Sequence, residues 1–168
     1  MKKHLLLPLF VIIGIISFAQ DTKSNKEIIT RFYNAFNQRN FNLFYSCFAD
    51  SVLVHFSGNK SFMITPAQIK EDIDPQVISF PDSYDTISLI LAEGNWVSIH
   101  VRHTGTYKDS LWGLPPNKKY IDYSVMEMYR LENNKIKEIY VVNDRFSMLQ
   151  QMGIIPKEIK SVLKNTHD

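Results

Sequence analysis

Residues 120–143 read YIDYSVMEMYRLENNKIKEIYVVN, and this stretch decides the fold. Tyr120 to Leu131 and Ile136 to Asn143 are rich in β-branched and aromatic residues with an alternating pattern. Asn133-Asn134 between them tolerates the positive backbone angles of a tight turn, so the stretch predicts a β-hairpin. Working backwards, Leu111 to Lys119 holds Gly113, Pro115 and Pro116 and reads as a loop. Before it, Tyr84 to Ala92 and Trp96 to Tyr107 are two strands hinged at Glu93-Gly94-Asn95. After the hairpin, Met148, Leu149 and Met152 make a short helix capped by Gly153, and a last amphipathic helix is expected after Pro156.

The first third has a different period. Ser24-Asn25-Lys26-Glu27 reads as a capping box, and Ile28, Ile29, Phe32, Tyr33 and Phe36 recur at helical spacing to about Asn37. A second helix starts after Asn40 with Leu43, Phe44, Cys47 and Phe48 as its apolar stripe. Asp50 to Phe56 alternates as a strand, and Thr65-Pro66 opens a third helix over 66–72. Helices first and long strands later predict an α+β domain with the helices on one face of a curved sheet. Strands 96–107 and 136–143 are apolar on both faces, so the second sheet face needs cover, and a homodimer across it is the simple expectation.

The N-terminus carries its own signal. Lys2 and Lys3 precede an apolar run from Leu5 to Phe18, and Ser17-Phe18-Ala19 places small residues where a signal peptidase reads. The run is too short for a membrane span. The expected organisation is therefore a cleaved leader over 1–19 and a single domain over 20–168, exported to the periplasm or secreted. Removing 19 residues from 168 leaves 149, and with Lys2 and Lys3 gone the net charge falls from +2 to zero. Neutrality gives no pull toward nucleic acid, and no membrane association is expected after cleavage. Cys47 is the single cysteine, so no internal disulfide is possible.

With these elements placed, the chain resembles the SnoaL-like polyketide cyclases, often called ester cyclases, of the nuclear-transport-factor-2-like superfamily. The resemblance runs from about Ile28 to Gly153. Phe32-Tyr33-Asn34-Ala35-Phe36, Phe48-Ala49-Asp50 with His55, Gly105-Thr106-Tyr107, Gly113-Leu114-Pro115-Pro116 and Gln150-Gln151-Met152-Gly153 carry it, with Asp144 between. It implies a cone-shaped, curved antiparallel sheet packed against three N-terminal helices, a cystatin-like α+β barrel, over an apolar pocket. The implied chemistry is a cofactor-free, aldol-type closure of a small apolar or aromatic carbonyl compound, with Asp144 as general acid/base. The chain departs from the family where a histidine usually follows Gly-Thr, here Tyr107, and at Asn117-Lys118 after the paired prolines.

Among the residues themselves, Asp144 ends an apolar strand and is either a pocket carboxylate or the cap of the following helix. A regular hairpin register would set Tyr123 opposite Asp144 and Glu127 opposite Tyr140, putting Tyr123 and Glu127 on Asp144's face as substrate-binding groups. His103 continues the set Val97, Ile99 and Val101 toward the helices, as a second catalytic candidate or a core histidine. His55 and Tyr33 are further pocket candidates, while His100 and Arg102 fall on the opposite face. No histidine pair has zinc-helix spacing, so no metal and no cofactor are expected. The alternative to an enzyme is a non-catalytic ligand-binding or dimerising module of the same fold.

Overall fold

The hairpin turns where its asparagines allow it. Asn133 and Asn134 sit at φ 51° and 61°, the paired left-handed geometry of a two-residue turn. The computed structural model describes residues 7–56 and 60–154, with side chains from Thr22 onward. In chain order the elements are α1 (Leu7–Asn37), α2 (Phe41–Ser46), β1 (Phe48–Phe56), β2 (Lys60–Ile64), α3 (Pro66–Ser79), β3 (Tyr84–Glu93), β4 (Trp96–Thr106), β5 (Tyr120–Glu132), β6 (Lys135–Asn143) and α4 (Arg145–Gln151).

The six strands form one curved, unclosed sheet in the order β2-β1-β6-β5-β4-β3, so β2 and β3 are its two edges. The expected all-antiparallel pairing needs one correction, because β1 lies parallel to β6. The β2 strand and helix α3 separate β1 from β3, and β1 sits between its sequence neighbour β2 and the last strand, β6. Strand β2 had no sequence signal: its five residues lie on an edge and four of them are exposed, so no apolar face betrays them.

Two β-bulges set the register in the β3–β4 and β5–β6 pairs. In the β5–β6 hairpin, Leu131 pairs with Ile136 but Arg130 pairs with Glu138, leaving Lys137 as an extra residue. In the β3–β4 pair, Ile87 faces Val101 but Leu89 faces His100, leaving Ser88 unpaired. Each bulge shifts everything beyond it by one residue. The regular hairpin register is thereby corrected: Glu127 pairs with Val141 instead of Tyr140, and Tyr140 turns to the outer face beside Met128.

Helix α1 also departs from expectation. It is continuous from Leu7, so Ser24 lies inside the helix and does not begin it. Pro8 falls within the first turn, where a missing N–H costs nothing, and Gly14 is tolerated. Helix α3 opens as expected, with a Thr65–Gln68 capping box, but continues through Pro75 to Ser79 instead of stopping at 72. Ile69 is buried on this helix, and Ile73 and Val77 pack against the core, so apolar contact carries it past the bond that Pro75 removes. Lys2, Lys3 and the helix expected after Pro156 lie outside the described residues. Among the described residues no helix is long and apolar enough to cross a membrane.

The main core lies between α1, α2 and the concave sheet face. Phe32 is its hub, stacked on Phe44 with centroids 4.5 Å apart and edge-on to Phe48 at 5.3 Å. A second cluster joins Phe80, Tyr107, Leu111, Ile121, Met148 and Met152. It fastens α4 and the 107–119 loop to the end of β5, helped by Gln151, whose amide pairs with both the N–H and the carbonyl of Asp122 at 2.6 and 2.7 Å.

Candidate active site

Residues alternating toward the helices on β3, β4, β5 and β6 wall a cavity of about 460 Å³. That volume suits a small organic ligand. Phe32, Phe36, Phe48, Val101, Val125 and Ile139 make most of it apolar. The polar groups that project into this surface include Tyr33, Asp85, His103, Tyr123 and Glu127. Four of them, Tyr33, His103, Tyr123 and Glu127, are among the sequence-based candidates, and the fold brings them together.

His103 and Asp85 form a pair. They face each other across β3 and β4, and His103 Nδ1 is hydrogen-bonded to the Asp85 carboxylate. Asn37, at the end of α1, grips Asp85 from behind. Its Nδ2 donates to the Asp85 carbonyl and its Oδ1 accepts from the Asp85 N–H, both at 2.8 Å. Arg39, at φ 59°, donates to the carbonyls of Pro81 and Ser83 at 2.8 and 2.7 Å, tying the turn after α1 to the turn before β3. With Nδ1 engaged by a carboxylate, the imidazole is fixed in orientation, and Nε2 has no hydrogen-bond partner among the described residues. The ring of Tyr123, its partner on β5, stands 5.1 Å away.

Glu127 occupies the deeper position. The hydroxyls of Tyr33 and Tyr129 both donate to its Oε2, and the two phenol oxygens are 2.9 Å apart. Burial raises the Glu127 pKa above the ordinary carboxylate value, and the nearby Asp85 charge adds to this. The two tyrosine hydrogen bonds and the neighbouring His103 pull the other way without cancelling it. Burial, then the Glu127 charge, holds both phenols well above their usual range, so they remain donors. Burial, followed by Asp85, also raises Tyr123, while Arg145 opposes the shift. The arrangement combines an oriented imidazole, a carboxyl biased toward its protonated form and a phenol in one apolar chamber. Such a set can take a proton from one atom of a ligand and deliver one to another.

Two candidates lie elsewhere. Asp144 is exposed, outside the cavity lining, and its carboxylate accepts from the Ser147 N–H at 2.9 Å as the N-cap of α4. Those hydrogen bonds hold its pKa below the ordinary value. The β5–β6 bulge is the reason: Val125 pairs with Asn143, the last strand residue, so Tyr123 has no partner on β6 and Asp144 begins the turn into the helix. His55 points to the outer sheet face, where it stacks on Tyr140 at 3.9 Å and bonds Glu138 and Ser61 at 3.0 and 2.8 Å. Its neighbours Val54 and Phe56 are the ones that reach the cavity. His100 and Arg102 also lie outside, bonded to Ser88 and Asp122.

Sequence reasoning missed Asp85 and Tyr129. Tyr129 alternates with Glu127 on β5 and was legible as its neighbour. Asp85 starts the inward set completed by Ile87, but regular pairing from the Gly94 hinge would set it against Thr104, and only the Ser88 bulge aligns it with His103. Tyr107, at the family's histidine position, is fully buried. Its hydroxyl donates to the Leu114 carbonyl and accepts from the Leu111 N–H, so it braces the 107–119 loop. Among the described residues no cluster of three or more histidine, cysteine, aspartate or glutamate side chains could hold a metal ion.

The fold is shared with solved structures of low sequence identity. AclR from Streptomyces galilaeus, a proposed hydroxylase, aligns at TM-score 0.73 and 18% identity over 80% of this chain and 99% of its own. IdmH from Streptomyces antibioticus, a proposed polyketide cyclase, aligns at 0.68 and 21% over 77% and 98%. A proposed polyketide cyclase from Acidithiobacillus ferrooxidans aligns at 0.68 and 24% over 77% and 94%. No curated protein matches by sequence. The sequence profile of SnoaL-like polyketide cyclases matches residues 27–152, which spans α1 from Glu27 through α4 and takes in every cavity residue named above, and the chain belongs to that family.

Proposed function

We propose that the protein catalyses cofactor-free proton transfer, of the aldol-cyclisation type, on a small apolar or aromatic carbonyl compound held in the cavity. The observation that carries this reading is the His103–Asp85 pair, with Nε2 left for a ligand in the same chamber as a carboxyl whose pKa is raised. His103 Nε2 takes the proton from the carbon next to the carbonyl, and Asp85 stabilises the imidazolium through Nδ1–H. The Tyr123 hydroxyl donates to the developing enolate oxygen. The enolate carbon attacks a second carbonyl of the same molecule, and the resulting alkoxide takes its proton from Glu127. Proton return from the imidazolium through solvent resets both groups. The acid/base role that resemblance assigned to Asp144 passes to these residues, since Asp144's carboxylate caps α4 outside the cavity.

The test is a thermal-shift screen against small carbonyl compounds, followed by turnover assays with H103Q and E127Q. Loss of turnover with retained binding in both variants supports the enzyme. Unaltered turnover overturns it, and binding with no turnover in the unaltered protein favours the ligand-binding module.

Two properties of the whole molecule belong to this reading. The leader over 1–19 supports export to the periplasm or beyond, checked by an exported chain that begins at Gln20. The outer sheet face exposes Leu89 and Leu91 on β3 and Met126, Met128 and Val142 on β5 and β6, with His100 and Ser98 of β4 between the two groups, which supports a homodimer through that face.

A further inference from the structure

The cavity has an electrically uneven axis. Its interior holds the Asp85 carboxylate, which disfavours an anion at that end. Its rim is formed by lining residues that are also exposed: Phe56, Asp72, Gln76, Trp112 and Arg145. Arg145 is the single Lys or Arg among the lining residues. No carboxylate lies within ion-pair distance of it among the described residues; it lies over the face of Trp112, its guanidinium carbon 5.1 Å from the ring centroid.

Trp112 is built to be presented there. It stands at φ 53°, followed by Gly113 at 76°, a left-handed pair that lifts the indole out of the loop. The turn is closed by Leu111 and Leu114, which bond each other's backbone at 3.3 and 2.9 Å, and by the buried Tyr107 hydroxyl, which bonds both. Leu111 is buried beneath, while Trp112 remains 53% exposed. A large apolar ring held outward by a non-glycine residue at positive φ is costly unless something uses it.

Resting on the reading proposed above, and naming its substrate class, we propose that Arg145, stacked on Trp112, binds a carboxylate on the ligand at the cavity mouth. The substrate is then an amphiphilic aromatic or apolar acid. Its ring system enters the phenylalanine-lined chamber carbonyl first, and its carboxylate stays at the rim. A guanidinium offers a planar fork to a carboxylate, and stacking holds that fork in one plane before the ligand arrives. The Asp85 carboxylate in the interior disfavours the reversed orientation. Asp72, the other ionic side chain of the rim, weakens the attraction without sitting on Arg145.

The probes are 2-naphthoate and its methyl ester, which share a ring system that suits the cavity and differ by one charge. Binding is measured by titration calorimetry at low salt on the full chain, with circular dichroism confirming that each variant is folded. The acid is expected to bind more tightly than the ester. R145Q should weaken the acid about tenfold and leave the ester within about twofold. R145K should fall between, keeping charge without the stacked plane, and D72N should tighten the acid slightly. Equal affinity for the two probes, or R145Q weakening both alike, overturns the proposal and leaves the cavity reading intact. Failure of both probes to bind the unaltered protein at millimolar concentration defeats the proposal and the cavity reading together.

Discussion

His103 Nδ1 is bonded to the Asp85 carboxylate across β3 and β4, and that bond exists because Ser88 is a bulge. Without that extra residue, regular pairing would set His103 against Thr86 and leave Asp85 facing Thr104. Asn37 then holds the Asp85 backbone through two hydrogen bonds, so the carboxylate is placed by the fold and not by its own freedom. H103Q is expected to lower kcat/KM for a turned-over substrate by roughly 10²- to 10⁴-fold, the usual range for a general base. N37A, which touches no ligand, should lower kcat with little change in KM, because it loosens only the placement of Asp85. A KM effect alone would show that Asn37 serves binding.

Asp144 provides the contrasting case. Asparagine caps helices about as well as aspartate, so D144N should keep both stability and turnover within about twofold. D144A removes the acceptor for Ser147 and should cost roughly 0.5–2 kcal/mol in urea unfolding. Collapse of turnover in D144N at unchanged stability would return the acid/base role to this residue.

Glu127 makes stability depend on pH in a direction opposite to most carboxylates. Its folded pKa is raised, first by burial, so the folded state binds the proton more tightly than the unfolded chain does. The contribution is fully present below the ordinary glutamate value and is lost as pH rises through the raised folded value. Each unit of elevation is worth about 1.4 kcal/mol. E127Q keeps an acceptor for Tyr33 and Tyr129 without a charge, so it should flatten this slope and gain stability at neutral pH. Unfolding curves from pH 4 to 8 read the difference.

Gly105 is set by crowding. A Cβ there would lie 3.2 Å from the Ser83 Cα and 3.3 Å from the Phe80 Cβ, on the turn that leads into Asp85. G105A should destabilise by about 1–3 kcal/mol, since backbone on one side cannot yield as a side chain would. A melting temperature within a degree of the unaltered protein would show that the turn gives way freely.

The outer face can be broken without touching the cavity. Val142 is 61% exposed and pairs with Met126 on that face. If the proposed homodimer forms through this face, V142E should convert it to monomer in light scattering while leaving ligand binding unchanged. A monomer before substitution would end the dimer proposal.

Much of the architecture was legible from residue order. Asn133-Asn134 and Gly94 placed the turns, and periodicity placed most of α1, α2 and the long strands. Alternation alone put His103 inward and His100 and Arg102 outward. The start of α1 and the length of α3 were not legible, because a capping box and a proline are local signals that packing can override. Strand β2 lacked an apolar face to announce it. The family's motif pointed to Asp144, and local sequence equally allowed the capping role that the fold gives it.

The sequence by itself determined that this chain forms an α+β domain of the SnoaL-like family, with a hairpin at 133–134 and His103, Tyr123, Glu127 and Tyr33 in one apolar setting. Tertiary structure alone decided which of them meet. A strand's side chains have period two, so a single extra residue at Ser88 or Lys137 reassigns every partner beyond it. Those two bulges bring Asp85 to His103 and set Glu127 beside Val141, while the second leaves Asp144 past the end of its strand. No residue pattern announces either bulge, and each bends the strand that carries it, so the site is built on that bending.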